Sequence, residues 1–319
     1  GLNTMLVPES CGGLGLSEQD FILLAQECGR AALPEPLVDN VLVANAMLAD
    51  VACSDLVSAK QCEDLLSEVA AGKVMLACGH WINPFINMAD IHQWLLLSQG
   101  DEVHLVESSA VELLPQRSAD PSRRIFKVNW QPKAETRIAN GEAGAGLWRR
   151  ALNRGALGVA AQLIGLSESI LHRAVGFTAD REQFGRPVGS NQAVKHLLAD
   201  CAVSLEFAKP VMARAAYAVG SNSSDADCAV SHAKVAASRA AQLCARHGMQ
   251  VHGAMGYTWE CDLHIWMKRC WAIDKTWGDA GFHKNRIHER LLDPSTLMGA
   301  GHTFTSATSK TYNSQEGAA

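Results

Sequence analysis

From residue 147 to residue 292 the sequence carries helical periodicity almost without interruption, and this pattern constrains the fold more than any other feature. The stretch 147–177 reads as one long apolar helix, 191–219 as a second and 223–250 as a third, and a fourth runs from 262 toward 292. Four long helices with short connections settle into an antiparallel bundle, because each apolar stripe must be buried against a neighbour. Abundant Ala favours the helical state.

The rest of the chain differs in texture. Residues 1–72 are also helical, with Ser17 and Asp20 resembling an N-cap that opens a helix carrying Phe21, Leu23, Leu24 and Cys28. Gly12-Gly13-Leu14-Gly15 reads as a turn, since no strand leads into it and its spacing is wrong for a dinucleotide fingerprint. Across 73–132 the period changes to that of strands. Residues 93–98 and 103–107 flank the hairpin-like turn Gln99-Gly100-Asp101-Glu102, and 124–130 alternates. Residues 133–146 read as a polar linker and 293–319 as a flexible tail. The expected fold class is mainly α, with an N-terminal helical region, a small β-domain and a C-terminal four-helix bundle.

Composition excludes several function classes. At 48% hydrophobic the chain is too apolar for disorder. A formal net charge of −5 gives no nucleic-acid footprint. No apolar run reaches the ~18 residues of a membrane-spanning helix, and no basic segment followed by an apolar stretch marks a secretory leader. Ten cysteines without a CxxC pair read as small buried hydrophobes in a reduced, cytoplasmic protein. His247, His252 and His264 lack the spacing and acidic partner of a metal helix, so no metal is expected; His252 reads as a loop or interface residue.

Two segments carry chemistry. Arg181-Glu182-Gln183-Phe184-Gly185 follows the first bundle helix, and Gln250-Val251-His252-Gly253-Ala254-Met255-Gly256-Tyr257 follows the third. Arginine presents a planar fork that grips phosphate oxygens in pairs. Gln183 adds a polar contact and Phe184 an apolar wall. Gly253 and Ala254 permit close backbone approach to a ligand, and Gln250 supplies another amide. In isolation Arg181 would read as a surface salt bridge to Glu182.

Together these segments resemble the flavin signature of the acyl-CoA dehydrogenase family. The resemblance extends over nearly the whole chain. It includes Val7-Pro8-Glu9-Ser10-Cys11-Gly12-Gly13-Leu14-Gly15-Leu16 near the start, and Arg186-Pro187, Gln192, Lys195 and Leu198-Ala199-Asp200 after the Arg181 segment. It implies FAD as cofactor, with Arg181, Gln183, Phe184, Gln250, Gly253 and Ala254 at its diphosphate and Asn191 and Gln192 near its adenosine. Asn191 is equally suited to capping the second bundle helix. In this family these motifs reach across a subunit interface, toward a flavin whose ring sits against the neighbouring subunit.

The same resemblance exposes what is missing. The family's reaction needs a carboxylate base whose pKa burial raises toward neutrality. One family position for this Glu falls at Trp277, within Thr276-Trp277-Gly278-Asp279; the other falls at Trp148, before Arg149. An indole cannot abstract the proton, so no catalytic residue is expected here. Asp274 and Asp279 are the nearby carboxylates, with Asp279 about 200° round a continuous helix from Trp277 and so facing elsewhere. The β-domain is shortened as well. Its Thr-Glu-Pro and Trp-Ile-Thr segments, which cradle the flavin ring in the family, are absent, and Trp81-Ile82-Asn83 sits before the strands rather than between them.

The resemblance is to the base-less subunit of bacterial α2β2 heterotetrameric acyl-CoA dehydrogenases that shorten steroid side chains. It implies an unlike partner subunit carrying the catalytic Glu and the acyl-CoA pocket, with electrons passing to an electron-transfer flavoprotein. Trp148 and Trp277 are then expected to fill this chain's own vestigial pocket. The competing readings are an autonomous homotetrameric dehydrogenase with a non-standard base, and a structural subunit that binds no flavin.

Overall fold

A computed structural model describes residues 1–293; the tail expected over 293–319 falls, from residue 294 on, outside the described residues. The N-terminal region forms α1 (Glu18–Arg30), α2 (Ala46–Ala52) and α3 (Ala59–Ala70). The Asp20 carboxylate accepts from both the backbone N–H (2.9 Å) and the hydroxyl (2.7 Å) of Ser17, fixing the start of α1. A π-helical segment, Val38–Asn45, runs into α2 and is buried along most of its length.

The β-region holds β1 (Leu76–Gly79), β2 (Phe85–Asn87), β3 (Trp94–Gln99), β4 (Glu102–Glu107), β5 (Glu112–Gln116), β6 (Ile125–Asn129) and β7 (Arg137–Ala139). They form a four-stranded sheet in the order β1-β3-β4-β7 and a three-stranded sheet in the order β2-β6-β5. β1 runs parallel to β3, while β3 and β4 form the expected hairpin with Gln99 opposite Glu102 and Gly100 at φ +61°. The stretch 133–146 is not a linker. It contributes β7, paired with β4, and the first turns of α4 (Gly141–Asp180). Trp81-Ile82-Asn83 is also placed differently from expectation, because it connects β1 to β2 instead of preceding the strands.

α4, at 40 residues, is about 60 Å long and forms the spine of the molecule. α1 crosses it at reciprocal glycines. A Cβ at Gly29 would lie 2.1 Å from the Gln162 carbonyl oxygen, and one at Gly165 would lie 1.9 Å from that of Gln26. Arg154 secures the same region by pairing with Glu18 at 2.8 Å and Asp50 at 2.6 Å. α5 (Gln192–Gly220) and α6 (Ala226–His252) complete the long helices of the bundle.

The fourth expected helix is two helices, α7 (Leu263–Ile273) and α8 (Ala280–Leu292). The chain breaks where Trp277 and Gly278 take φ values of +55° and +94°. Asp279 restarts the helix by accepting the Phe282 N–H at 2.9 Å. Asp279 is therefore a cap, and the 200° offset expected from one continuous helix does not apply. Lys234, fully buried on α6, donates to the carbonyls of Asp274 (2.9 Å) and Gly278 (2.8 Å) and holds the break open.

Candidate functional site

The segment after α4 folds into a short hairpin, β8 (Glu182–Gln183) and β9 (Arg186–Pro187). Gln183 pairs with Arg186 across a two-residue turn in which Phe184 (φ +55°) and Gly185 (φ +74°) are both left-handed, a type I′ geometry. Phe184 is 99% exposed, so a bulky aromatic is held in a costly conformation with no packing among the described residues to compensate. Alternation along a strand puts Arg181 and Gln183 on one face with Arg186, and Glu182 on the other. The Arg181–Glu182 salt bridge does not form. Among the described residues the Arg181 guanidinium has no hydrogen bond or ion pair.

Asn191 occupies the N-cap position of α5, but its side chain does not cap the helix. Its Oδ1 accepts from Arg186 Nη2 at 2.6 Å, and its Nδ2 donates to the Val188 carbonyl at 3.0 Å. Gln192 opens α5 as an exposed residue, and the Gln183 amide donates to the Glu182 carbonyl at 2.8 Å.

The second segment ends α6. Gln250 and Ala254 are exposed, and Gly253 adopts φ +59°, ψ −136°, a conformation open essentially to glycine alone. Among the described residues no atom beyond its two chain neighbours lies within 4 Å of a Cβ built there, which leaves room for a ligand at Gly253. His252 is helical and buried within this chain, not the loop residue expected. It is the last residue of α6, 6% exposed, with Nδ1 2.7 Å from the Gly248 carbonyl, and burial lowers its pKa. Its ring stacks on Phe177 with centroids 4.2 Å apart and planes at 20°. Because the Arg181 N–H bonds the Phe177 carbonyl at 2.9 Å, this stack couples the two sequence segments.

At the other end of the molecule Trp148 and Trp277 are 4% and 0% exposed. His80 joins them, its ring centroid 4.8 Å from that of Trp148 and 6.4 Å from that of Trp277, nearly parallel to the latter at 15°. Each indole N–H is satisfied, that of Trp148 by the Glu102 carbonyl at 3.0 Å and that of Trp277 by Asp39 Oδ1 at 2.7 Å. Burial depresses the His80 pKa to about 4, keeping the imidazole neutral.

Asp39 and His80 are contributors that sequence reasoning missed. Part of Asp39 reaches solvent, yet its carboxyl is enclosed, and burial raises its pKa against the opposing effects of the Trp277 N–H and Arg123. The two carboxylates near Trp277 in sequence have partners of their own, though Asp274 Oδ1 is buried without one among the described residues. Asp274 Oδ2 accepts from Gln242 at 3.1 Å and pairs with Lys275 at 3.1 Å, while Asp279 caps α8, which lowers its pKa. His283, fully buried, fixes the break from the α8 side with Nε2 2.9 Å from the Trp277 carbonyl. Among the described residues no three His, Cys, Asp or Glu side chains converge on a metal position, and no helix is long and apolar enough to cross a membrane.

Comparison with known proteins agrees with this architecture. A family model for the acyl-CoA dehydrogenase C-terminal domain matches residues 142–292. The chain is 31% identical over 270 residues to acyl-CoA dehydrogenase IpdE2 of Mycobacterium tuberculosis (strain ATCC 25618 / H37Rv), spanning 84% of this chain and 76% of that protein. Two solved structures share the fold. The ChsE4-ChsE5 complex from Mycobacterium tuberculosis has a TM-score of 0.79 at 20% identity, covering 92% of this chain and 86% of that one. A variant of the Tcur3481-Tcur3483 steroid ACAD has a TM-score of 0.78 at 23% identity, covering 91% and 85%. The likeness to IpdE2 over most of both chains, together with the matched bundle domain, shows that the chain belongs to the acyl-CoA dehydrogenase family.

Proposed function

We propose that this chain is one subunit of a heteromeric, FAD-dependent acyl-CoA dehydrogenase, in which it supplies the diphosphate half of the flavin site to an unlike subunit that carries the catalytic Glu. The family's cofactor is FAD. The observation that carries the reading is the contrast between the two ends of the molecule. The exposed hairpin face, with an unengaged Arg181 guanidinium beside the Gln183 amide, fits a diphosphate by its donor chemistry. The base end does not fit a flavin ring or a base. Trp148, Trp277 and His80 fill it, and the enclosed Asp39 carboxyl is engaged by the Trp277 indole.

When bound, FAD supplies the acceptor for the substrate's β-hydride. In this reading Arg181 and Gln183 bind the phosphate oxygens, with Gln250 and the open backbone at Gly253 and Ala254 beside them. Phe184 covers the site with an apolar wall, and Gln192 lies toward the adenosine. The partner supplies proton abstraction and the acyl-CoA pocket, in an α2β2 assembly that passes electrons to an electron-transfer flavoprotein. Two structural neighbours support this assignment: one is a complex of two named chains, and the other is a steroid ACAD. The latter favours a steroid CoA ester as substrate, in line with the side-chain CoA that the resemblance implies. An autonomous dehydrogenase would need a base, and the nearby carboxylates of Asp39, Asp274 and Asp279 each already accept a hydrogen bond through one oxygen within this chain.

The test is co-purification of the chain with its partner, with flavin counted per heterodimer. One FAD per heterodimer is expected, with loss of most of it in Arg181→Ala. Stoichiometric flavin and acyl-CoA turnover by this chain alone would sink the reading.

A further inference from the structure

We propose that Arg186 is a second phosphate-binding guanidinium, and that Asn191 serves the site by aiming Arg186 rather than by touching adenosine. The inference rests on the reading of the hairpin as a flavin-diphosphate site, and it adds a ligand and a positioning residue to that site.

A dinucleotide's diphosphate bridge carries two negative charges, and Arg181 alone balances one. The β8–β9 register places a second cation beside it. Gln183 and Arg186 are directly paired, and directly paired residues project from the same face of a hairpin. Arg181 lies two residues before Gln183 and so shares that face, which gives a surface of two guanidiniums and one amide. Glu182 pairs with Pro187 on the opposite face, away from both cations.

Arg186 is also restrained, unlike an ordinary exposed arginine. Its Nη2 donates to Asn191 Oδ1 at 2.6 Å. Asn191 is fixed in turn by its Nδ2 bond to the Val188 carbonyl at 3.0 Å and by the Lys195 N–H, which donates to its backbone carbonyl at 3.1 Å. The Val188 N–H donates to the Arg181 carbonyl at 2.8 Å, closing a ring of contacts that joins both arginines. The type I′ turn at Phe184-Gly185 holds the two strands in this register. Asn191 spends one lone pair on Arg186, yet that guanidinium retains further N–H groups for phosphate. A side chain ordered before its ligand arrives loses less freedom on binding, which is the advantage a positioning residue confers.

The experiment titrates FAD into flavin-depleted complex, with binding read from the quenching of flavin fluorescence. Arg186→Ala is expected to raise the FAD dissociation constant about tenfold, the loss of one charge-assisted contact. Arg186→Lys should recover part of that loss, since it restores charge without the fork. Asn191→Ser retains an N-cap residue but is too short to hold Arg186; it should weaken FAD about threefold and have no further effect in an Arg186→Ala background. Normal FAD affinity in Arg186→Ala alongside a weakened Arg181→Ala would overturn the inference and leave the diphosphate reading standing. Normal affinity in both variants would overturn both. Independent, additive losses from Asn191→Ser and Arg186→Ala would show that Asn191 does not act through Arg186.

Discussion

The indole of Trp277 packs directly on the backbone of Gly155: a Cβ built at Gly155 would lie 2.2 Å from Cδ2 and 2.5 Å from Cε2 of the ring. The absence of a side chain on α4 and the break between α7 and α8 are therefore two halves of one packing solution. The break turns Trp277 inward, and Gly155 makes room for it. Gly155→Ala is expected to destabilise the protein by about 1–3 kcal/mol through overpacking, although Ala is the better helix former by about 0.8–1 kcal/mol. In a Trp277→Ala background the same substitution should become neutral or stabilising. Urea unfolding of the four chains of this cycle measures both terms.

Trp277→Phe tests the indole's polar end. The ring volume is largely kept, but Asp39 loses the N–H that opposes the upward effect of burial on its pKa. A carboxyl whose folded pKa lies above its unfolded value contributes stability at low pH and loses it as pH rises through the folded pKa. The variant should raise the Asp39 pKa further, so its deficit relative to the native chain should grow as pH rises from the ordinary aspartate value of 3.8 toward neutrality. Equal deficits across that range would show that Asp39 does not depend on Trp277.

The bundle was legible in the sequence through the apolar periodicity of α4, α5 and α6, and the segments proposed to meet the flavin stand out as short strings of residue types at the hairpin and the end of α6. The helix break was not, because apolar residues continue through Ile273 and Trp277, and only the adjacent Gly278 and Asp279 mark a stop and a new cap. Asp39 was hidden by its place in a π-helical segment, whose period matches neither helix nor strand templates. β7 was missed because Arg137-Ile138-Ala139 is too short to show alternation and owes its strand state to pairing with β4. The Arg186–Asn191 contact spans five residues, but it depends on a turn type that no spacing rule specifies.

His80 should make the molecule acid-sensitive. It is neutral in the fold, with a pKa lowered to about 4, and would titrate near 6.5 when exposed. Between those values the unfolded chain binds more protons, so stability falls as pH falls. Buried His283, lowered to about 3 by burial and by Lys234, acts in the same direction. His80→Phe keeps a ring against Trp148 and Trp277 and removes one titrating group. Its unfolding free energy should decline less steeply than that of the native chain between about pH 6.5 and about pH 4. Identical slopes in parallel denaturation series would show that the His80 imidazole is not held neutral.

Trp277→Glu returns a carboxylate to the position where the family resemblance places a base, and it should not create an enzyme. The new side chain is smaller than the indole and leaves a void beside Gly155, at a cost of about 3–5 kcal/mol for a buried Trp. It also faces Asp39, the present partner of the indole N–H, so two carboxyls would have to share one proton or separate. Trp148 and His80 still occupy the rest of the cluster, leaving no room for a flavin ring. The purified variant is expected to melt earlier than the native chain, to retain no FAD by absorption, and to show no acyl-CoA turnover. Stoichiometric flavin in Trp277→Glu alone would mean that a single side chain blocks an otherwise intact ring site, and the division of the flavin between unlike subunits would have to be abandoned.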